Sequence, residues 1–257
     1  MRRRHRTLVL MYHGLGTVPA ALDPPNNFVP VAAFAAQMDH LQRRGFTAVD
    51  EATYLDMLDG GPGPARPVLI TFDDGYVSVL EDAAPVLQRR GMPALCYVSP
   101  GLSGHVPGPG ESPAKQLMDD AQMRALPGHG IDLGCHSWVH DSMRGMADPA
   151  LAQATTAART EIFRISGEHP RTFAYPFGHH DSRAREAVRT AGFEAAFATY
   201  DGHGRHALPR VDVNTTDTLR SFDLKLRRAY PAARQALSAA PAARRLAHSV
   251  VGYAPRA

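Results

Sequence analysis

The sequence predicts an α/β domain built on one parallel sheet of about seven strands, either open or closed into a barrel. Three observations carry this expectation. Short apolar runs of strand type alternate with stretches of helical periodicity along most of the chain. The composition, 44% hydrophobic and 21% charged over 257 residues, suffices for a substantial core. No internal repeat and no long linker divides the chain, so a single domain is expected.

The elements follow in order. Thr7–Tyr12 is an apolar run of strand type. Phe34, Met38 and Leu41 mark one face of a helix that Gly45 ends. Phe46–Val49 is a short strand and Glu51–Leu58 a short helix before the Gly-Pro loop at 61–64. Pro67–Phe72 is a buried strand, followed by a helix over Val77–Arg90 and a strand over Pro93–Val98. Residues 99–116, rich in Gly and Pro, form a long exposed loop. Asp120–Leu126 is a helix, Ile131–Cys135 a strand, Pro149–Ser166 a helix and Thr172–Tyr175 a strand. Asp181–Ala191 is a helix, Glu194–Thr199 and Leu208–Val213 are strands, and Thr218–Arg228 is a helix.

Several function classes are excluded by composition. No window holds the 18 or more apolar residues of a spanning helix. The basic start is followed by too short an apolar stretch for a signal peptide, so a soluble, cytoplasmic protein is expected. Two cysteines, Cys96 and Cys135, make no disulfide framework; Cys135 precedes a histidine but reads as core rather than as a metal ligand. Residues 1–6 and 220–257 together hold twelve of the 28 basic residues and one acid, so the ends carry +11 and the middle −8. The central domain therefore lacks the basic surface and motifs of a nucleic-acid binder. The basic, Ala-rich tail is compatible with peripheral contact to an anionic membrane, against the plainer reading of a solvated extension.

Three segments stand where strand runs end, which is where ligand sites form in barrels and open α/β sheets. The first is Thr71-Phe72-Asp73-Asp74-Gly75-Tyr76. Adjacent carboxylates after a buried run repel unless something positive separates their roles. Neighbouring strand residues point to opposite faces, so one can hold a metal while the other meets water. The second is His136-Ser137-Trp138-Val139-His140, whose histidines share a face if the segment is a helical turn. Two His and one Asp make a three-ligand site with open positions, the pattern of a catalytic metal. Zinc is the first candidate, and such a donor set also accepts cobalt, nickel or iron(II). The third is Phe173-Ala174-Tyr175-Pro176-Phe177-Gly178, an apolar strand ending in a tight turn. Each alone has a bland reading: a turn, a surface pair, a strand end.

Together, in this order, the three segments resemble the NodB-homology polysaccharide deacetylases, the family-four carbohydrate esterases. The resemblance implies a distorted (β/α) barrel of about seven strands over residues 7–215, flanked by a basic extension at 1–6 and a helical, basic one at 216–257. It implies metal-dependent removal of acetyl groups from an N-acetylated sugar, oligosaccharide or glycoconjugate. Carried over by position, Asp73 is the base that activates water, and Asp74, His136 and His140 hold the metal. The backbone N–H of Phe177 binds the oxyanion, with Tyr175 and Tyr76 as further residues on the oxyanion and substrate side.

Departures from the family pattern matter too. Ala174 stands where an Arg usually orients the base, and with Leu10-Met11-Tyr12-His13 this form looks like the subgroup containing poly-N-acetylglucosamine deacetylases. Arg210, in a late strand, is the candidate for the missing cation beside Asp73; a strand-end surface charge is its plain alternative. The family's late histidine acid is not visible, and His13, at the end of the first strand, is the candidate to protonate the leaving amine or bind substrate. His179 and His180 are placed near the rim, and Trp138 is read as packing behind the metal ligands. Specificity is expected in the loops 14–28 and 99–116. The alternatives are a deformylase or other linear-amide hydrolase on the same site, and a non-catalytic glycan-binding module.

Overall fold

The computed structural model describes residues 7–200, 202, 204–227, 229–230 and 233–234. The expectation of membrane contact falls on the basic tail, most of which lies outside the described residues. Among the described residues no helix is long and apolar enough to cross a membrane.

Among the described residues ten strands occur in chain order: β1 (Leu8–Tyr12), β2 (Gly14–Leu15), β3 (Phe28–Val29), β4 (Thr47–Ala48), β5 (Pro67–Phe72), β6 (Ala94–Val98), β7 (Ile131–Cys135), β8 (Thr172–Ala174), β9 (Ala195–Phe197) and β10 (Val211–Asp212). The main sheet runs β10-β1-β5-β6-β7-β8-β9, all parallel. β4 pairs with the start of the β5 edge whose end pairs with β6. β2 and β3 form a separate small parallel ladder. Leu208 bridges to Phe197 of β9, and three residues later Val211 pairs with Leu10 of β1. That short stretch draws the two ends of the sheet together into a distorted (β/α) barrel.

Strand alternation divides the core in two. Val9, Leu69, Leu95, Tyr97, Ala174 and Phe197 form the inner cluster, completed by Val49 and by Tyr54 from the helix Glu51–Leu58. Leu10, Tyr12, Val68, Ile70, Phe72, Cys96, Cys135, Phe173 and Tyr175 belong to the larger outer cluster beneath the helices. The helix Val31–Arg43 adds Phe34, Met38 and Leu41 to that layer, the apolar face expected from their spacing.

Differences from the expected elements have local causes. The strand expected over Leu208–Val213 shrinks to Val211–Asp212, because Pro209 has no N–H for a ladder. The helix after Asp74 carries a π turn at Val79–Ala83 just before Pro85, whose ring would otherwise press on a carbonyl of the preceding turn. The expected extension at 216–257 begins with a helix, Leu219–Lys225, that belongs to the packed unit: Phe222 is fully buried, and Lys225 Nζ donates to the Asp212 carbonyl and Asp217 at 2.9 and 2.7 Å.

Candidate active site

Alternation along β5 puts Leu69 and Thr71 on the inner side, and Asp73 continues that series at the mouth of the barrel. Its backbone N–H extends the ladder by donating to the Tyr12 carbonyl at 2.9 Å. By the same alternation Asp74 would face away. It does not, because Asp74 (φ 73°) and Gly75 (φ 78°) are both left-handed, and the turn swings the second carboxylate over the same mouth. A side chain at Gly75 would also meet Val98 Cγ1 at 2.9 Å, so this turn needs its glycine.

Asp73 is held from across the barrel. Arg210 donates from Nη1 to Asp73 Oδ1 at 2.6 Å and from Nη2 to Oδ2 at 2.7 Å. It also donates to Thr71 Oγ1 at 3.2 Å and, through Nε, to the Ala198 carbonyl at 3.3 Å. Arg210 lies between the bridge at Leu208 and the strand at Val211, so closure of the barrel places it there, with 1% of it exposed. Burial pushes the Asp73 carboxyl up, but the charges of Arg210 and His136 outweigh it and hold the group below the usual carboxylate range.

The histidine pair departs from the expected helical turn. His136 directly follows β7, and the chain then makes a tight turn in which Ser137 (φ 64°) and His140 (φ 61°) are left-handed. Ser137 Oγ, almost fully buried, accepts the His140 N–H at 3.0 Å and fixes that turn. Both rings nevertheless reach Asp74: His140 Nε2 lies 3.2 Å and His136 Nε2 3.5 Å from Asp74 Oδ1. One donor atom from each of Asp74, His136 and His140 lies within 4.8 Å of the others. Asp74 Oδ1 is buried and makes no well-directed hydrogen bond, although both histidine Nε2 atoms lie close to it. His136 Nδ1 donates to the Ala174 carbonyl at 2.7 Å, which fixes the ring with Nε2 turned toward Asp74. An oxygen and two imidazole nitrogens converging in this way suit a divalent ion.

Burial opposes ionisation of Asp74, yet its contacts with both histidines hold it well below the usual range. Burial likewise pushes His140 down, and the bond to Asp74 outweighs it, raising its pKa. Cys135 stays out of this group: its side chain joins the outer core, and burial pushes its thiol up.

A cleft of about 280 Å³ opens from this point. Asp74, Tyr76 and His140 reach it from the barrel end, and Asp23, Asn27 and Phe28 line one side. His105, Glu111 and Lys115 line the other, so both loops expected to carry specificity border the cleft. Tyr76 faces Asp74, and burial together with that carboxylate pushes its phenol up. His13 continues the inner series of β1; its Nδ1 is buried without a hydrogen-bond partner, and it is close enough for its charge to act on both Asp73 and Asp74. Phe177 is left-handed (φ 58°) and 60% exposed, with its ring 4.5 Å from that of His140.

Tyr175 is the correction. It falls on the outer side of β8 with Phe173, is fully buried, and donates its O–H to the His206 carbonyl at 3.0 Å. Its N–H is spent on the Phe197 carbonyl. It therefore offers the cleft neither a side chain nor a backbone donor. Trp138 packs against the turn at Pro100–Leu102, where a side chain on Gly101 would meet its indole at 2.5 Å. His179 meets Ser142 Oγ at 3.2 Å on the exposed side. Sequence reasoning missed the inner polar residues Glu51, Tyr97 and Thr172, whose signal was the parity of β6 and β8.

Comparison with known proteins agrees with this architecture. The model of the polysaccharide deacetylase family matches residues 60–196, more than half of the chain. The Bacillus subtilis protein YxkH is 28% identical over 213 residues, which cover 80% of this chain and 71% of that protein. The poly-beta-1,6-N-acetyl-D-glucosamine N-deacetylase of Escherichia coli K12 is 25% identical over 236 residues; the match covers 76% of this chain but only 35% of that longer protein. Among solved structures, the Streptococcus pyogenes deacetylase PplD superposes with a TM-score of 0.75 at 16% identity, covering 86% of this chain and 98% of that one. IcaB from Ammonifex degensii gives 0.69 at 24% identity, covering 88% and 96%. These likenesses establish a shared fold, and with the family match over Asp73, Asp74, His136 and His140 the chain belongs to the polysaccharide deacetylase family.

Proposed function

We propose that the protein is a metal-dependent N-deacetylase that removes acetyl groups from an N-acetylated amino sugar or its oligosaccharide. The observation that carries this reading is the juxtaposition of two groups. A carboxylate, Asp73, is held by Arg210 at 2.6 and 2.7 Å, and beside it Asp74, His136 and His140 converge within 4.8 Å. The family match supports it, as does the likeness to the E. coli N-deacetylase.

In this reading Asp74, His136 and His140 hold the ion, with zinc first and cobalt, nickel or iron(II) as alternatives. The bound ion supplies a Lewis acid that polarises the acetyl carbonyl and acidifies water at neutral pH. Asp73 takes the proton from the attacking water, a role worth about 10²–10⁴ in rate. Arg210 keeps Asp73 ionised and fixes both of its oxygens. The N–H of Phe177, which has no hydrogen-bond partner among the described residues, donates to the oxyanion; one such donor is worth about 3 kcal/mol of barrier. His13 delivers a proton to the departing amine from the inner side of the mouth. Tyr76, beside Asp74 at the cleft floor, donates to the substrate.

The test is acetate release from β-1,6- and β-1,4-linked N-acetylglucosamine oligosaccharides and nucleotide sugars, after chelation and reloading with each metal. Wild type is expected to release acetate only when reloaded, and Asp73→Asn to release none. Formate from N-formyl analogues without acetate would reassign the protein as a deformylase. Stoichiometric metal with glycan binding but no product would make it a binding module.

A further inference from the structure

A line of polar groups leads through the apolar inner cluster from the helix Glu51–Leu58 toward Arg210 and Asp73. Glu51, the first residue of the helix Glu51–Leu58, accepts a hydrogen bond from Thr172 Oγ1 at 2.5 Å. With its proton committed there, Thr172 Oγ1 accepts from the Tyr97 hydroxyl at 2.9 Å. The Tyr97 ring in turn lies 5.5 Å from Cζ of Arg210, and the Phe197 ring flanks the same guanidinium at 6.0 Å. Tyr97 and Thr172 are fully buried and Glu51 is 6% exposed. Gly134 on the neighbouring strand makes room for this arrangement: a side chain there would meet Tyr97 Cε1 at 2.3 Å.

We propose that Tyr97 is a positioning residue: its ring, anchored through Thr172 to Glu51, holds the Arg210 guanidinium where it meets both oxygens of Asp73. This rests on the reading of Asp73 as the base. A guanidinium is weakly hydrated and is attracted to an aromatic face, so a buried ring is a fitting neighbour for a cation whose other contacts lie at its rim. The rim contacts, to Thr71, Asp73 and Ala198, do not by themselves locate the flat faces of the group. An error of about 1 Å in a reacting group costs about 10²-fold in rate, so modest drift of Arg210 is enough to misplace Asp73. The anchoring hydroxyl gives Tyr at this position a use that Phe would lack, since it reaches Thr172 Oγ1 at 2.9 Å.

The test compares Tyr97→Leu, Tyr97→Phe and Asp73→Asn, each alone, and places Tyr97→Leu also in an Arg210→Met background. Rates are read on N-acetylglucosamine oligosaccharides and on an aryl acetate, which needs no sugar subsite. Tyr97→Leu is expected to lower kcat about tenfold with KM and bound metal unchanged, and Tyr97→Phe to restore most of the rate. In the Arg210→Met background, Tyr97→Leu is expected to cost nothing further, because its effect passes through Arg210. Unchanged kcat in Tyr97→Leu, or the same loss in both backgrounds, overturns the proposal. Tyr97→Met replaces the leucine variant if that one does not fold. Activity surviving Asp73→Asn would instead remove the reading of Asp73 as base. An inactive Asp73→Asn beside a fully active Tyr97→Leu removes only the role of Tyr97.

Discussion

Arg210 and Asp73, separated by 137 residues of chain, meet as a two-point ion pair with both partners buried. Such a pair is weak evidence for net stability, but breaking it from one side is costly, because the remaining charge has no partner. Arg210→Met is therefore expected to destabilise the fold by about 3–5 kcal/mol at neutral pH. The folded Asp73 titrates below its unfolded value, so its contribution is present above about pH 4 and is lost as pH falls through the folded pKa. The deficit of Arg210→Met in urea unfolding should accordingly be largest near pH 7 and shrink toward pH 4, where the unpaired carboxyl takes up a proton. A deficit that does not vary between these pH values would show that the pair is not what the mutation breaks.

The turn carrying the histidines stores strain that Ser137 offsets. Ser137 and His140 are both left-handed, and Ser137 Oγ accepts the His140 N–H. Ser137→Ala keeps the strained backbone and leaves that donor unpaired. It should cost about 1–2 kcal/mol in thermal unfolding and weaken zinc binding in a calorimetric titration. Ser137→Gly relieves the backbone but loses the same acceptor, so it should recover stability more than metal affinity.

How much of this was legible beforehand depended on parity and backbone handedness. The strands over Pro67–Phe72 and Ile131–Cys135 stand as read from their apolar runs, and Asp73, Asp74, His136 and His140 come together as the motifs implied. Arg210 was the candidate because Ala174 stands where the resembled family usually has its orienting Arg, and it does meet both oxygens of Asp73. The route by which the pieces meet was not legible: left-handed residues at Asp74, Ser137 and His140 carry no local signature, since none of them is glycine. Tyr175 was misplaced for a reason the sequence did contain. Thr172 and Ala174 face inward, so the neighbouring Phe173 and Tyr175 must face outward.

That placement of Tyr175 separates two kinds of tyrosine in one experiment. Tyr175→Phe removes a hydrogen bond to the His206 carbonyl, neither residue lining the cleft, and should lower stability by about 1 kcal/mol while leaving acetate release and metal content unchanged. Tyr76→Phe removes a hydroxyl that faces Asp74 within the cleft, and should raise KM with little change in melting temperature. A loss of activity in Tyr175→Phe matching that of Tyr76→Phe would place Tyr175 back in the site.

Glu51 makes the pH dependence of folding testable independently of catalysis. Burial lifts its pKa to about 7, against the lowering effect of the Thr172 hydrogen bond. Asp132, whose carboxylate accepts the Glu51 N–H at 3.1 Å, adds to the rise. The unfolded value is about 4.3, so between the two pKa values the folded state binds more protons than the unfolded one. Stability therefore falls as pH rises through this window and levels off above it. The full difference corresponds to about 4 kcal/mol, of which about 3 kcal/mol falls between pH 5 and pH 8. Glu51→Gln keeps an acceptor for Thr172 and carries no charge. It should match wild type at pH 5 and exceed it by up to about 3 kcal/mol at pH 8 in chemical denaturation. If instead Glu51→Gln is the less stable protein at pH 8, the carboxylate is held charged, and Arg171 on the flanking strand segment is the cation that favours it.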